Sequence, residues 1–258
     1  MKWEAIILDW AGTTIDYGCF APVEAFAEVF REYGMEPTME ETRKPMGMLK
    51  WEHIRTMLGM ERIRQEFVRI YGREPVDRDV DAMHGQFTEM LLRVLNQYTE
   101  LKDYVLETVK KLKNAGIKIG STTGYSDEMM EIVTREAKKA GYEPDSMYTP
   151  DSTGHMGRPC PYMIFRNMET LKITSVDRVM KVGDTISDIL EAKNAGVTAV
   201  GIVEGSSEMG LTKAEWEALS AEEKAAKAQQ VEARYLEAGA DYVIADIRGV
   251  LELAGLKV

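Results

Sequence analysis

The 258-residue sequence predicts an α/β fold: a doubly wound parallel sheet with an inserted α-helical domain. Three observations carry this reading. From about residue 100 onward, short apolar runs alternate with amphipathic helical segments, the pattern of parallel strands joined by crossover helices. Between the first apolar run and that alternation the chain is almost entirely helical in pattern, with few β-branched runs. Three of the apolar runs end in polar residues, Asp9, Thr123 and Asp184, as strands do when their carboxyl ends face a ligand.

Taken in order, Lys2 to Leu8 is a short apolar run bounded by a turn, hence a buried strand. Residues 22–33 form a helix with Val23, Phe26, Ala27 and Phe30 on one face and Gly34 closing it. Thr38-Met39-Glu40-Glu41 fits a capping box opening the next helix. Residues 51–58 and 80–96 are helical, the latter with a stripe of Met83, Phe87, Met90, Leu91, Val94 and Leu95. A helix over 103–115, closed by Gly116, leads to a strand over Ile117 to Thr122. Asp127 to Ala140 is a helix with Met130, Val133 and Ala137 inward, followed by a short strand near 146–149. A Gly/Pro loop precedes a helix over 162–171 and a strand from Arg178 to Val182. A helix over 187–195, a strand from Val197 to Val203, an exposed Ala/Glu/Lys-rich helix over 212–238 and a last strand at Tyr242 to Ile244 complete the chain. The expected division is a core of residues 1–18 and 100–258 and a helical insert of 19–99.

The bulk composition limits the function classes. A net charge of −11 argues against nucleic-acid or anionic-membrane surfaces, which need clustered cations. No apolar run approaches the ~20 residues of a membrane span, and the N-terminus lacks the basic-then-apolar pattern of a signal peptide. Cys19 and Cys160 stand far apart, which implies a reducing cytoplasm and no structural zinc. The scarce histidines, His53, His84 and His155, form no cluster for a metal.

The chemistry gathers at the strand ends. Asp9, followed by Trp10-Ala11-Gly12-Thr13-Thr14, is well placed for a nucleophile. Phosphoryl-transfer enzymes with this layout usually carry a second Asp two residues later, which protonates the departing alcohol. Here that position is Ala11, so the leaving group is handled otherwise or is not an oxygen. Asp184, with Asp188 one helical turn on, converges with Asp9, and a hard cation such as Mg²⁺ relieves the repulsion. Thr123 suits a hydrogen bond to a phosphoryl oxygen, and Arg158, in Gly157-Arg158-Pro159, is a multi-donor cation suited to phosphate. Singly, Asp184 or Thr123 reads equally as a helix N-cap, and Arg158 as a surface arginine.

Asp9, Thr123, Arg158 (in place of the more usual Lys) and Gly183-Asp184-Thr185-x-x-Asp188 resemble the motifs of the haloacid dehalogenase superfamily. The resemblance implies a Rossmann-like core and a mobile cap built by the helical insert. One branch, the phosphonatases, has Ala at the second-acid position. The match to it includes Asp16-Tyr17-Gly18-Cys19, Lys44-Pro45-Met46-Gly47-Met48-Leu49-Lys50, His53, Gly120-Ser121-Thr122-Thr123-Gly124-Tyr125 and Lys181-Val182-Gly183-Asp184-Thr185. This resemblance implies hydrolysis of the P–C bond of phosphonoacetaldehyde, in 2-aminoethylphosphonate degradation, through a lysine Schiff base and an aspartyl phosphate.

By the same resemblance Lys50 is the imine lysine, although Lys44 competes on sequence alone. His53 lies at i+3 from Lys50, on the same helical face, and either assists proton transfer, holds a water or packs. Met46, Cys19 and Tyr125 shape the pocket, with a hinge or packing role the alternative for Cys19. Gly47 joins the substrate-binding set. The metal set implied is Asp9, Ala11, Asp184 and Asp188, for Mg²⁺. A homodimer through the cap is implied as well. The rival readings are an Mg²⁺-dependent phosphomonoester phosphatase of the same fold, which Ala11 disfavours, a phosphate-sensing protein and a metal-free 2-haloacid dehalogenase.

Overall fold

The computed structural model of the chain describes residues 2–46 and 48–258. Six parallel strands form one sheet: β1 (Ala5–Leu8), β2 (Lys118–Thr122), β3 (Ser146–Tyr148), β4 (Val179–Gly183), β5 (Thr198–Ile202) and β6 (Tyr242–Ile244), in the order β3-β2-β1-β4-β5-β6. The order reverses between β1 and β4, which makes the crevice beyond their carboxyl ends the topological switch point of a doubly wound sheet.

Both faces of the sheet are covered, which is why the strands read as continuous apolar runs. Along β1, Ile6 and Leu8 point into one apolar cluster and Ala5 and Ile7 into another. The first cluster is completed by α6 (Val105–Asn114), α7 (Asp127–Lys139) and α12 (Gly249–Leu253). The second is completed by α8 (Tyr162–Leu171), α9 (Ile186–Ala195) and α11 (Ala221–Glu237).

Between β1 and β2 lie α1 (Phe20–Glu32), α2 (Met39–Arg43), α3 (Lys50–Gly59), α4 (Glu61–Tyr71) and α5 (Asp77–Val94), then a 3₁₀ turn over Leu95–Tyr98. Phe26, Ile54, Met57, Phe67, Met83 and Phe87 knit these helices together, and Phe26 stacks on Phe87 at 4.1 Å between centroids. The chain enters and leaves this insertion side by side. Ile15 bridges Leu101, Asp16 N donates to Glu100 O (3.1 Å) and Lys102 N donates to Thr14 O (2.9 Å). At the entry, the backbone N–H groups of Phe20 and Ala21 both donate to the Asp16 carboxylate (3.1 Å each), so a residue four positions upstream caps α1. Burial pushes that carboxyl up to about 6.

Most boundaries shift by a few residues from the sequence reading, and four differences stand out. The first strand begins at Ala5 rather than Lys2, because the Trp3 indole turns to donate to Leu253 O (2.9 Å). The helix before β2 begins at Val105 rather than residue 103, where Tyr104 takes a left-handed conformation (φ 67°). Helix α4, which the sequence reading did not delimit, packs Ile63 and Phe67 inward. The stretch 212–238 is two helices, α10 (Lys213–Ala218) and α11, because Ser220 forms a capping box with Glu223 and starts the second one afresh. The end of α11 is also not exposed: Tyr235 is fully buried under the sheet end. Among the described residues no helix is long and apolar enough to cross a membrane.

Candidate active site

The site forms at the switch point. Asp9 continues the β1 ladder, its N–H donating to Val182 O (3.0 Å), and its carboxylate emerges at the sheet end, 4 % exposed. The chain then turns sharply, with Thr13, Thr14 and Ile15 N–H all donating to Trp10 O. Gly12 makes this turn at φ +85°, and a Cβ there would lie 2.0 Å from Asp184 Oδ2. Only glycine permits both the backbone angle and the approach of the two loops.

Asp184 follows β4. Its Oδ2 accepts from Ser207 N (2.7 Å), its Oδ1 from the Thr13 hydroxyl (3.4 Å) and its carbonyl from the Tyr235 hydroxyl (2.7 Å). Asp184 is therefore not a helix cap; Thr185 caps α9, in a capping box with Asp188. The carboxylates of Asp9, Asp184 and Asp188 are all buried, each offering an oxygen within 4.8 Å of the others. Burial, then Asp9 and Asp188, push the Asp184 carboxyl well above its usual range. Three buried, converging carboxylates with hard oxygen donors fit a divalent cation.

Two buried cations face these acids. Arg158 Nη1 lies 3.0 Å from Asp188 Oδ1, Nε donates to Glu191 Oε2 (3.2 Å), and Nη2 pairs with Asp9 Oδ1. Burial works against the guanidinium charge, but Asp188, Asp9 and Glu191 outweigh it and hold the group above its usual range. Lys181 Nζ lies 2.7 Å from the same Asp188 Oδ1. Burial would raise the Asp188 carboxyl, yet Arg158 and Lys181 hold it below its usual value.

From the insertion, Lys50 opens α3 and reaches the same place. Its Nζ sits 5.2 Å from the centroid of the Tyr125 ring and 5.8 Å from that of Phe26, within range of a cation–π contact. Burial is the main force lowering its ammonium below 10.5. Lys44 is exposed. His53, one turn on, is fully buried and stacks on Phe26 at 3.7 Å. Burial, then Lys50, hold it well below its usual range, so it is neutral. Its Nε2–H donates to Thr42 O (2.9 Å), which makes Nδ1 the unprotonated nitrogen of the neutral ring.

Asp9, Ala11, Cys19, Met46, Lys50, Thr123, Tyr125, Arg158 and Asp184 together line a cavity of about 20 Å³, room for roughly one water. Thr123 Oγ1 accepts from Tyr125 N (3.0 Å). The Cys19 thiol is buried, which raises it well above the usual thiol range, so it is protonated. His53 and Asp188 stand behind this lining rather than in it. Gly47 lies outside the described residues.

Lys181 entered the sequence reading only inside the matching motif Lys181-Val182-Gly183-Asp184-Thr185, with no role, and Glu191 and Lys102 had no place in it. The first two left a signal. Lys181 is a charge inside the apolar run Val179-Met180-Lys181-Val182, and Glu191 sits three residues after Asp188, on the same face of α9. Lys102, whose Nζ donates to Gly12 O and to Glu204 O (2.6 Å), left none.

The profile of the haloacid dehalogenase-like hydrolases matches residues 3–196, and a second, HAD-hydrolase-like profile matches 155–248. A phosphonoacetaldehyde hydrolase of Lysinibacillus sphaericus is 51% identical over 244 residues, 95% of this chain and 91% of that protein. A bifunctional phosphonoacetaldehyde hydrolase/aminoethylphosphonate transaminase of Clostridioides difficile is 47% identical over 94% of this chain and 38% of its own length. The crystal structure of a phosphonoacetaldehyde hydrolase-like protein from Oleispira antarctica superposes with a TM-score of 0.94 at 39% identity, covering 98% of this chain and 91% of that one. A β-phosphoglucomutase from Clostridium difficile, 14% identical with a TM-score of 0.67 over 98% of this chain and 96% of its own, shares the fold alone.

Proposed function

This chain belongs to the phosphonoacetaldehyde hydrolase family of the haloacid dehalogenase-like hydrolases, and we propose that it hydrolyses the P–C bond of phosphonoacetaldehyde to acetaldehyde and phosphate through Asp9 and Lys50. The observation that carries this is the burial of a lysine amine and a carboxylate in one cavity whose second-acid position is Ala11. A carbon leaving group departs with its electron pair, which a carboxylic acid stabilises poorly and an iminium accepts well.

In the mechanism, the neutral Lys50 amine adds to the aldehyde and water leaves, forming an imine. Asp9 attacks phosphorus in line, and the P–C electron pair moves into the protonated imine to give an enamine and an aspartyl phosphate. Water cleaves the acyl phosphate. The enamine is protonated on its terminal carbon, and a second water frees acetaldehyde and Lys50. Arg158 and Thr123 hold phosphoryl oxygens throughout. Asp9, Ala11, Asp184 and Asp188 would hold Mg²⁺, which when bound neutralises phosphoryl charge so that one anion can approach another.

Residues 19–99 act as a mobile cap in this reading, hinged where residues 14–16 run beside 100–102. A cavity of about 20 Å³ is too small for the substrate, so the Met46–Lys50 side must withdraw from the sheet end before binding. Met46 and Tyr125 then shape the aldehyde end of the pocket with Cys19 beside them, and the neutral His53 packs behind Lys50. A reducing cytoplasm suits Cys19 and Cys160, neither of which is in a disulfide. The transaminase fused to the Clostridioides difficile relative supports a place in aminoethylphosphonate breakdown.

The test is direct. Incubation with phosphonoacetaldehyde and Mg²⁺ is expected to release phosphate and acetaldehyde in equal amounts. A chelator is expected to abolish both, with recovery on adding Mg²⁺. Turnover of sugar phosphates in place of phosphonoacetaldehyde would return the phosphomonoesterase reading, and turnover in chelator the dehalogenase-like one.

We also propose a homodimer through the cap. A groove of about 570 Å³ along α1 and α5, lined by Val23, Met39, Met90 and Tyr98 and edged by Glu24, Glu28 and Arg31, offers a second copy both apolar and charged contacts. Light scattering is expected to give twice the chain mass of 29.1 kDa; the mass of a single chain would rule the dimer out.

A further inference from the structure

Among the described residues, Glu191 is the one fully buried carboxylate at the sheet end that neither lines the cavity nor belongs to the converging acid cluster. A buried carboxylate is costly unless other groups compensate it, so its partners show what it is for. Its Oε2 accepts from the Thr122 hydroxyl (3.0 Å) and from Arg158 Nε (3.2 Å) and lies 3.7 Å from Lys181 Nζ, while Oε1 has no hydrogen-bond partner among the described residues. Arg158 Nη2 in turn donates to Thr122 Oγ1 (3.1 Å) and Thr122 O (2.9 Å). Thr122 has one hydroxyl hydrogen, which it donates to Glu191 Oε2, and this turns the Thr122 lone pairs toward Arg158 Nη2. The three side chains form a closed ring that fixes the plane of the guanidinium from behind.

That ring explains the chemistry at position 158. Each nitrogen of Arg158 meets a different carboxylate: Nε meets Glu191, Nη1 meets Asp188, and Nη2 meets Asp9. A lysine offers one nitrogen at one point and cannot span the three. The ammonium of Lys181 already pairs with the same Asp188 Oδ1 at 2.7 Å and leaves the Asp9 end to Arg158. We infer that Glu191 is a positioning residue that acts through Arg158 Nε and Thr122, aiming Nη2 at the point where Asp9 meets the phosphoryl group. This rests on the proposed phosphoryl transfer to Asp9 and adds to it a residue that touches neither substrate nor metal.

The experiment is a double-mutant cycle with Glu191→Gln and Arg158→Lys, read as kcat/KM for phosphate release and as the Kd for inorganic phosphate with Mg²⁺, alongside the unfolding midpoint. Glu191→Gln alone is expected to weaken both readouts about tenfold or more, the scale of a lost charge-assisted hydrogen bond. In the Arg158→Lys background, where Nε is gone, the same change is expected to cost less than about threefold. An equal factor in both backgrounds would overturn the inference and leave Glu191 a stability residue. A wild-type chain that binds no phosphate would overturn it too. Failure to turn over phosphonoacetaldehyde with the phosphate cycle intact would sink the functional reading while sparing Glu191. Should Glu191→Gln not fold, Glu191→Asp keeps the charge, withdraws it by one methylene, and carries the same cycle.

Discussion

Replacing Lys50 by methionine is expected to lower kcat by roughly 10⁴-fold or more, the scale on which loss of a covalent-catalysis group acts, while leaving the fold intact or more stable. Methionine fills similar space without an amine to desolvate, and Lys50 lies buried among Met46, Tyr125 and Phe26. Borohydride reduction of wild-type protein with phosphonoacetaldehyde and Mg²⁺, followed by peptide mass analysis, is expected to place a two-carbon adduct on Lys50 and none on the exposed Lys44. An adduct on Lys44 would keep the chemistry and move the site; no adduct on any lysine would remove the imine route. The pH dependence has a definite sign. The reactive form is the neutral amine, and burial lowers the pKa of Lys50 from 10.5. The acid limb of kcat/KM therefore lies below the ordinary lysine range, with activity falling as pH drops through it. Because the folded pKa is depressed for a base, the unfolded chain binds the extra proton between the lowered value and 10.5, so wild-type stability rises with pH through that window. Lys50→Met removes that dependence.

Asp9→Asn is expected to stop phosphate release by about 10⁴-fold or more while imine formation continues. Borohydride would then trap the intact two-carbon phosphonate on Lys50, its mass larger than the wild-type adduct by the retained phosphoryl group. Phosphate release at near wild-type rate would show that water, not Asp9, attacks phosphorus. The fold should survive, because Arg158 keeps Asp188 and Glu191 and because removing one of three converging carboxylates relieves the repulsion that raises Asp184. In the proposed mechanism the two variants separate the two halves of the reaction, the lysine serving the carbon and the aspartate the phosphorus.

Much of this is legible in the sequence. Strand and helix order followed from the alternation of short apolar runs with periodic helices, because a parallel sheet covered on both faces writes itself as such runs. The errors lay at boundaries set by single contacts: Trp3 leaving the strand for Leu253, and Ser220 restarting a helix in an Ala-rich stretch. In the site, Asp9, Thr123 and Asp184 could be named because each terminates a strand, and strand ends of one sheet converge by topology alone. Asp188 was harder. Its carboxylate serves the capping box of α9 and the pairing with Arg158 and Lys181 at once, and sequence spacing cannot separate those roles.

The sequence by itself determined the fold class and the order of its elements, because periodicity is a local property of the chain. It also determined the chemistry on offer: a strand-end carboxylate, Asp9, without a companion acid at Ala11, and lysines in a helical insertion. Which lysine enters the site was decided only by the packing of that insertion on the sheet end, where Lys50 is buried and Lys44 is left in solvent. The same holds for the three-way grip on Arg158 and for the buried Lys181 and Glu191. Arg158 meets Asp9 across 149 residues of chain and Glu191 across 33. No local pattern encodes such pairings; they arise because buried charges in a low-dielectric interior must find partners, and the fold determines which ones are within reach.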